Sequence, residues 1–454
     1  MNLTGRESIV TLHHGDCLEV LRGMEADSVD SMVTDPPYGL SFMGKEWDYD
    51  VPSVAVWCEC LRVLKHGGHL LSFAGARTYH RMAVNIEDAG FEIRDQIMWV
   101  YGSGFPKSHN ISKAIDKAAG AEREVIGQAV ASALSGNSKF NDADVGTISR
   151  DHNNPTQGYK MGAAGFYDIT TPTTPEAQQW EGWGTALKPA HEPIVMARKP
   201  LSEKTIAKNV LEHGTGGINI DGCRIETEED LNGGAYAKDG TERHDGAENW
   251  RYKRDGGAGN FVQPEGRFPA NIILDEEAGK MLDEQSGQLK SGDMDSIAKG
   301  GQFNTYGVQQ ERRTTQIGDE GGASRFFYCA KASKKERNAG CEGLPLGEPP
   351  DSARSKPAEG RKNALGEPRA NNHPTVKPVE LMRYLVRLVT PPDGIVLDPF
   401  MGSGSTGKAA VFEGMDFIGI EKEKEYIEIS RKRVENAKKV VKSENAVGAQ
   451  LNLF

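Results

Sequence analysis

No run in this 454-residue chain approaches the ~20 apolar positions that a bilayer-spanning helix takes, so no membrane segment is expected. The opening Met1-Asn2-Leu3-Thr4-Gly5-Arg6-Glu7 has no basic segment followed by an apolar one, and no secretory leader is expected. Cysteine is scarce. Cys17, Cys58, Cys60, Cys223, Cys329 and Cys341 form no Cys-x-x-Cys pair, and no compact His/Cys cluster offers zinc-ligand spacing. The expectation is reduced thiols in a cytoplasmic protein, with no metal and no disulfide framework. Positive charge is short as well: 54 Lys and Arg stand against 65 Asp and Glu, a net −11, which argues against a generic polyanion binder. That shortage is uneven, because Arg325–Lys377 carries eleven basic and six acidic residues. Such a stretch permits nucleic-acid contact but is equally the composition of a solvated face.

What is present is alternation. Val29–Val33 is a short apolar run ending in Asp-Pro-Pro-Tyr. Val54–Leu64 has helical spacing and stops at Lys65-His66-Gly67-Gly68, His69–Phe73 reads as a buried strand, Tyr79–Ala89 as a helix and Phe91–Val100 as a strand. Strands and helices at this spacing predict a parallel sheet covered by helices. From Gly102 to about Gly184 the composition turns Gly-, Ser-, Asn-, Thr- and Pro-rich, a long excursion with one helix expected near Ile111–Ala119. His191–Arg198 regains strand character. Leu201 to Phe326 has many glycines and charges but few periodic segments, except Gly217–Arg224 and Phe268–Leu274, and Lys335–Ala370 reads as an exposed linker. Order returns with a helix at Pro378–Val389, a strand at Gly394–Leu397, a helix at Gly407–Gly414, a strand at Phe417–Ile420 and a basic helix at Tyr426–Lys439.

Between the last strand–helix pairs lies Asp398-Pro399-Phe400-Met401-Gly402-Ser403-Gly404-Ser405-Thr406-Gly407, a nucleotide-type loop. Glycines let the backbone approach a ligand closely, and a helix start offers free N–H groups. Gly402-x-Gly404-x-x-Gly407, with Glu421 one strand further on, also fits a dinucleotide-binding dehydrogenase, or nothing more than a tight turn. Too little chain follows Gly407 for the second half of a dinucleotide-binding domain. The missing strands must come from the N-terminal segment, which means a permuted sheet.

The second motif is Thr34-Asp35-Pro36-Pro37-Tyr38-Gly39, at the carboxyl end of a predicted parallel strand, where doubly wound sheets bind ligands. An exocyclic amine on a base is conjugated with the ring and is a poor nucleophile. It can attack a sulfonium methyl once acceptors hold its hydrogens and draw the nitrogen toward tetrahedral geometry. Asp35 supplies one acceptor, and the Pro36 carbonyl, made rigid by Pro36 and Pro37, supplies another. Tyr38 offers a flat face for an extruded base.

On these motifs the chain resembles the amino-group DNA methyltransferases, the N6-adenine and N4-cytosine methylases, in their permuted β group. His13-His14-Gly15-Asp16-Cys17 is similar to the segment whose acidic residue contacts the cofactor adenine, Leu64–Leu70 to the glycine turn of the next unit, and His373-Pro374-Thr375-Val376-Lys377-Pro378 to the cofactor segment before the glycine loop. The resemblance covers about residues 8–105, 186–200 and 370–435. It implies an α/β, class I S-adenosylmethionine-dependent methyltransferase fold: a doubly wound, mostly parallel seven-stranded sheet, circularly permuted, with an inserted target-recognition region. It implies a catalytic half at 1–105, a long insertion at 106–185, a returning strand at 186–200, a target-recognition region and linker at 201–370, and a cofactor half at 371–454. The implied catalytic residues are Asp35, Pro36, Pro37 and Tyr38. The implied cofactor-binding residues are Asp16, Cys17, Asp35, Thr375, Lys377, Asp398, Phe400, Gly402, Gly404, Thr406 and Glu421, with Glu421 on the ribose hydroxyls of S-adenosylmethionine.

The expected activity is transfer of a methyl group to N6 of a flipped adenine in double-stranded DNA. The chemistry of the motif suits cytosine N4 equally; adenine is favoured by resemblance alone, since members beginning the motif with Asp more often methylate adenine. Attack through C5 of cytosine needs a nucleophilic cysteine, typically after proline, and there is no Pro-Cys. Protein- and RNA-modifying relatives more often carry Asn at the position of Asp35. From another class, a catalytically silent DNA-binding protein on the same scaffold stands against the intact Asp35–Tyr38 and glycine loop. Lys331–Arg337, with Lys334 and Lys335, is expected to grip phosphate. Two-fold association and a paired restriction endonuclease are compatible with the sequence but have no residues that mark them, and the DNA site read is not legible.

Overall fold

The structure, a computed structural model, describes residues 6–40, 49–102, 104, 108–130, 166–227, 265–290, 294–298, 303–304, 307–308, 312–316, 319–330, 336–346 and 370–451. They group into two compact units, Tyr101–His191 and the remainder of the chain.

The larger unit is built on one sheet. Its strands in chain order are β1 (Val10–His14), β2 (Val29–Thr34), β3 (Leu64–Phe73), β4 (Glu92–Val100), β5 (His191–Arg198), β6 (Ile272–Asp275), β7 (Tyr328–Ala330), β8 (Ile395–Asp398) and β9 (Asp416–Glu421). Across the sheet they lie in the order β1-β9-β8-β2-β3-β5-β4-β6-β7. The C-terminal β8 and β9 sit between the N-terminal β1 and β2, all parallel, so both ends of the chain complete a single permuted sheet as expected. β5 runs antiparallel to β3.

The central strands are apolar on both faces, and their two-residue period sorts side chains into two cores. Val33, Leu71, Ile194, Met196 and Val396 face one layer, where they pack with Leu381, Leu385, Val386 and Val389 of the helix Val379–Val389. Met32, Leu70, Val195, Ala197 and Leu397 face the other, with Trp57 and Cys60 of the helix Val54–Val63 and Met82 and Ile86 of the helix Tyr79–Asp88.

The expected seven strands are corrected to nine in this sheet. β6 and β7 both come from the segment read as a separate recognition region, and they add in parallel beyond β4. β6 overlaps the periodic segment Phe268–Leu274, whereas the three residues of β7 are too short to show a period; Ile273, Leu274 and Ala330 are buried, and the two strands cover what would otherwise be an open strand edge at β4. Lys334 and Lys335 lie outside the described residues. Arg337 is described, and its guanidinium donates to the His373 carbonyl.

The unit Tyr101–His191 contains the expected helix, at Ile111–Ala118, capped by Asn110, and an antiparallel pair, Val125–Val130 with Phe166–Thr170. Its organising group is buried Asp116. One carboxylate oxygen accepts from Arg123 at 2.6 Å, and both accept from the Thr173–Thr174 backbone and hydroxyl.

Candidate active site at the carboxyl edge of the sheet

Because β1, β9, β8 and β2 are adjacent and parallel, their carboxyl ends open on one edge. Each end carries an acidic residue: Asp16 beyond β1, Glu421 closing β9, Asp398 closing β8 and Asp35 following β2.

Asp35 is engaged by an ammonium and a hydroxyl. Its Oδ2 accepts from Lys377 Nζ at 2.6 Å and its Oδ1 from the Tyr38 hydroxyl at 2.6 Å. Lys377 also stands 3.2 Å from Glu192 Oε2, and the Tyr38 hydroxyl 3.0 Å from the same oxygen. The Lys377 ammonium lies 4.8 Å from the Phe73 ring centre and 5.5 Å from that of Tyr38. Burial works against this ammonium, but the Asp35 and Glu192 carboxylates outweigh it and hold its pKa above the usual lysine value. Burial, then the same two carboxylates, push the Tyr38 hydroxyl well above the usual tyrosine value, so it stays protonated. Lys377 was expected against the cofactor; in the structure its ammonium is on Asp35, itself one of the expected cofactor residues. Glu192 was not anticipated. The available signal was a carboxylate at the head of β5, just ahead of its apolar run Pro193–Ala197.

Asp398, 2% exposed, braces the glycine loop. Its Oδ1 accepts from the Thr34 hydroxyl at 2.6 Å and the Phe400 N–H at 3.1 Å, and its Oδ2 from the Thr406 hydroxyl at 2.6 Å. These bonds tie the loop to β2. Burial nevertheless pushes the carboxyl up to about 6 from 3.8. The folded chain therefore binds this proton more tightly than the unfolded chain. Stability from this group falls as pH rises between those values and is level above them. Asp398→Asn keeps an acceptor for Thr34 and Phe400 and can donate to Thr406 without ionising. It should melt above the wild type at neutral pH by on the order of 2–3 kcal/mol, the gain vanishing toward about pH 4. Thermal melts across that range check it, and a gain independent of pH would refute the assignment.

Gly402 and Gly404 have φ of +53° and +78°. A Cβ on Gly402 would come 2.7 Å from His373 Nε2, and one on Gly404 2.9 Å from Ser430 Cβ, so both glycines are demanded by the loop's own turn and packing. Glu421 supports the same loop: its Oε2 accepts from Gly402 N–H at 2.8 Å and its Oε1 from Glu423 N–H at 2.7 Å. Burial raises its pKa. Asp16 caps the helix Cys17–Arg22 by accepting from Leu18 N–H, and it lies 3.6 Å from Lys422 Nζ, one residue past Glu421. Burial pushes the Cys17 thiol up to about 11, so it stays a neutral thiol. His373, which opens the expected cofactor segment, is buried; its Nδ1 lies 2.9 Å from the Thr375 carbonyl and its ring edge-on to Tyr426. Burial lowers its pKa to about 4 and keeps the ring neutral. Thr375 is exposed, and Phe400 packs its ring 6.2 Å from Trp57. Asp16, Gly402, Thr375 and Glu421 are thus linked along one edge through Lys422 and His373, while Thr406 and Asp398 lie beneath it. Pro36 is buried and Pro37 half-buried between Asp35 and Tyr38.

The chain is 48% identical over 66 residues to the type II methyltransferase M2.DpnII of Streptococcus pneumoniae, a match covering 14% of this chain and 25% of that one. It is 46% identical over 66 residues to the DNA adenine methyltransferase YhdJ of Escherichia coli K12, covering 14% and 22%. The matches thus span about a quarter of these relatives' length. Among solved structures, PvuII DNA methyltransferase (cytosine-N4-specific) aligns at 14% identity with a TM-score of 0.38, covering 94% of this chain and 89% of that one. The family described as DNA methylase, with the N6 and N4 methyltransferases in its name, matches residues 29–432, and the chain belongs to it.

Proposed function

We propose that the protein transfers a methyl group from S-adenosylmethionine to the N6 amine of a flipped adenine in double-stranded DNA. The observation that carries this is the meeting of Asp35 and Tyr38, at the end of β2, with Lys377 from the other half of the permuted sheet. Asp35 draws one amine hydrogen, the Pro36 carbonyl draws the other, and Tyr38 stacks on the base.

The donor set suits the cofactor. Carboxylates at four neighbouring strand ends favour a cationic sulfonium bearing hydroxyl and amine groups. Each Glu421 oxygen accepts one backbone N–H and keeps a lone pair for a ribose hydroxyl. Asp16 stands by the adenine, and Thr375 and the backbone at Phe400, Gly402 and Gly404 line the remainder, with Asp398 and Thr406 fixing that backbone. When bound, S-adenosylmethionine supplies the electrophilic methyl group. Glu421→Ala should weaken its binding by about 1.5–3 kcal/mol, the scale of charge-assisted hydrogen bonds. Calorimetry, with melting as the control for lost loop support, checks this; unchanged affinity removes Glu421 from the site.

Adenine is preferred over cytosine N4 because the relative YhdJ is named as an adenine methyltransferase and the motif begins with Asp. Residues 201–370 are assigned the target-recognition role, in the cytoplasm of a bacterium or of a phage-infected host. Pairing with a restriction endonuclease is an extension of the type II relatives' names. The test is nucleoside mass spectrometry on DNA from a methylation-deficient host expressing the protein. N6-methyladenine is the expected product, N4-methylcytosine alone overturns the base assignment, and neither base overturns the activity.

A further inference from the structure

We propose that Glu192 is a positioning residue for methyl transfer, taking over the hydrogen-bond donors that rest on Asp35 when the base amine arrives. The proposal rests on the function proposed above. Two donors stand between two carboxylates. Lys377 Nζ is 2.6 Å from Asp35 and 3.2 Å from Glu192 Oε2, and the Tyr38 hydroxyl is 2.6 Å from Asp35 and 3.0 Å from that same Glu192 oxygen. Lys377, Asp35 and Glu192 are at least three-quarters shielded from water and Tyr38 is half-buried, so their pairing counts.

At rest, both Asp35 oxygens hold a donor, one of them an ammonium. A carboxylate so neutralised is a weak acceptor for the hydrogens of an aromatic amine. Simply withdrawing Lys377 would leave a buried cation without a counter-ion. Glu192 removes that obstacle. The ammonium can settle its charge on Glu192, and the hydroxyl can turn its single hydrogen there, with neither carboxylate displaced. Asp35 then meets the amine as the stronger acceptor, and the site keeps one cation for two anions throughout. No proton changes owner in this exchange. The roles differ by position: Asp35 directly follows β2 in the catalytic motif, whereas Glu192 opens the antiparallel β5 and reaches the site only through Lys377 and Tyr38.

Glu192→Gln keeps the shape and removes the charge. Single-turnover transfer to duplex DNA should fall on the order of 10²-fold, the scale of a misplaced catalytic group, with S-adenosylmethionine affinity, KM for DNA and melting temperature unchanged. The discriminating measurement is the same substitution in a Tyr38→Phe background, where one donor has already been taken off Asp35 and the ring face is retained. There Glu192→Gln should cost no more than about 10-fold, because the two residues act through one shared contact. Equal fold losses in both backgrounds, an unchanged rate, or a lost melting transition that accounts for the lost rate would each overturn the proposal. A wild-type chain that methylates no DNA would instead fail at the proposed function, before any variant is compared.

Discussion

Asp35→Ala should lower the single-turnover rate of methyl transfer at least about 10³-fold, at the upper end of the loss seen when one preorganised electrostatic partner is removed. The reason lies in how little else can do its work. Asp35 is the acidic group that directly follows β2 in the motif, and the Pro36 carbonyl alone cannot polarise both hydrogens of the amine. The fold should survive, which makes the experiment informative. Truncation leaves Lys377 within 3.2 Å of Glu192 and the Tyr38 hydroxyl within 3.0 Å of it, so neither donor is stranded. The melting temperature should therefore stay near the wild-type value, and S-adenosylmethionine affinity should change far less than the rate, since Glu421 and Asp16 are untouched. Stopped assays with a labelled methyl donor, read beside calorimetry, separate the two quantities. A variant retaining a tenth of the activity would remove Asp35 from the chemistry.

The parts of this site that were legible in the sequence are those whose signal is local. Asp35–Tyr38 follows an apolar run and contains two prolines, and Asp398–Gly407 joins a strand to a helix through closely spaced glycines; each announces itself within ten residues. The permutation was legible too, in the order of the motifs, with Asp35–Tyr38 ahead of Asp398–Gly407. Partnerships were not. Tyr38 and Glu192 are 154 positions apart, and Asp35 and Lys377 are 342 apart, so no window contains both members of either pair. Lys377 was assigned to the cofactor from its neighbours in sequence, yet its ammonium reaches across the sheet to Asp35. The glycines were read as letting the backbone approach a ligand, and what a side chain there would meet is His373 and Ser430 of the same chain. The periodic segment Phe268–Leu274 was visible but was placed in the recognition region, and β7 was missed because three residues cannot display a period; the edge of β4 gives both strands their place.

Lys377→Met should be the most destabilising single change at the site. The ammonium is 8% exposed and pairs with two carboxylates, at 2.6 and 3.2 Å. Methionine can occupy the stem's space against Phe73 and Tyr38, but it leaves Asp35 and Glu192 facing each other with no cation between them. Breaking a buried pair in this way typically costs about 3–5 kcal/mol, and for a unit of this size that lowers Tm by roughly 6–15 °C. The dependence on pH identifies the cause. In the wild type the lysine pKa is raised above its ordinary 10.5, so the stability it contributes is fully present below that value and is lost only as pH rises through the higher folded one. In the variant, the two carboxylates relieve their repulsion by taking up a proton as the solution is acidified. The deficit should therefore be constant from neutral to mildly alkaline pH and shrink steadily on the acid side. Melting curves of the two proteins across that range decide the matter: a deficit that does not change with pH would trace the loss to packing around the methionine and not to the stranded carboxylates.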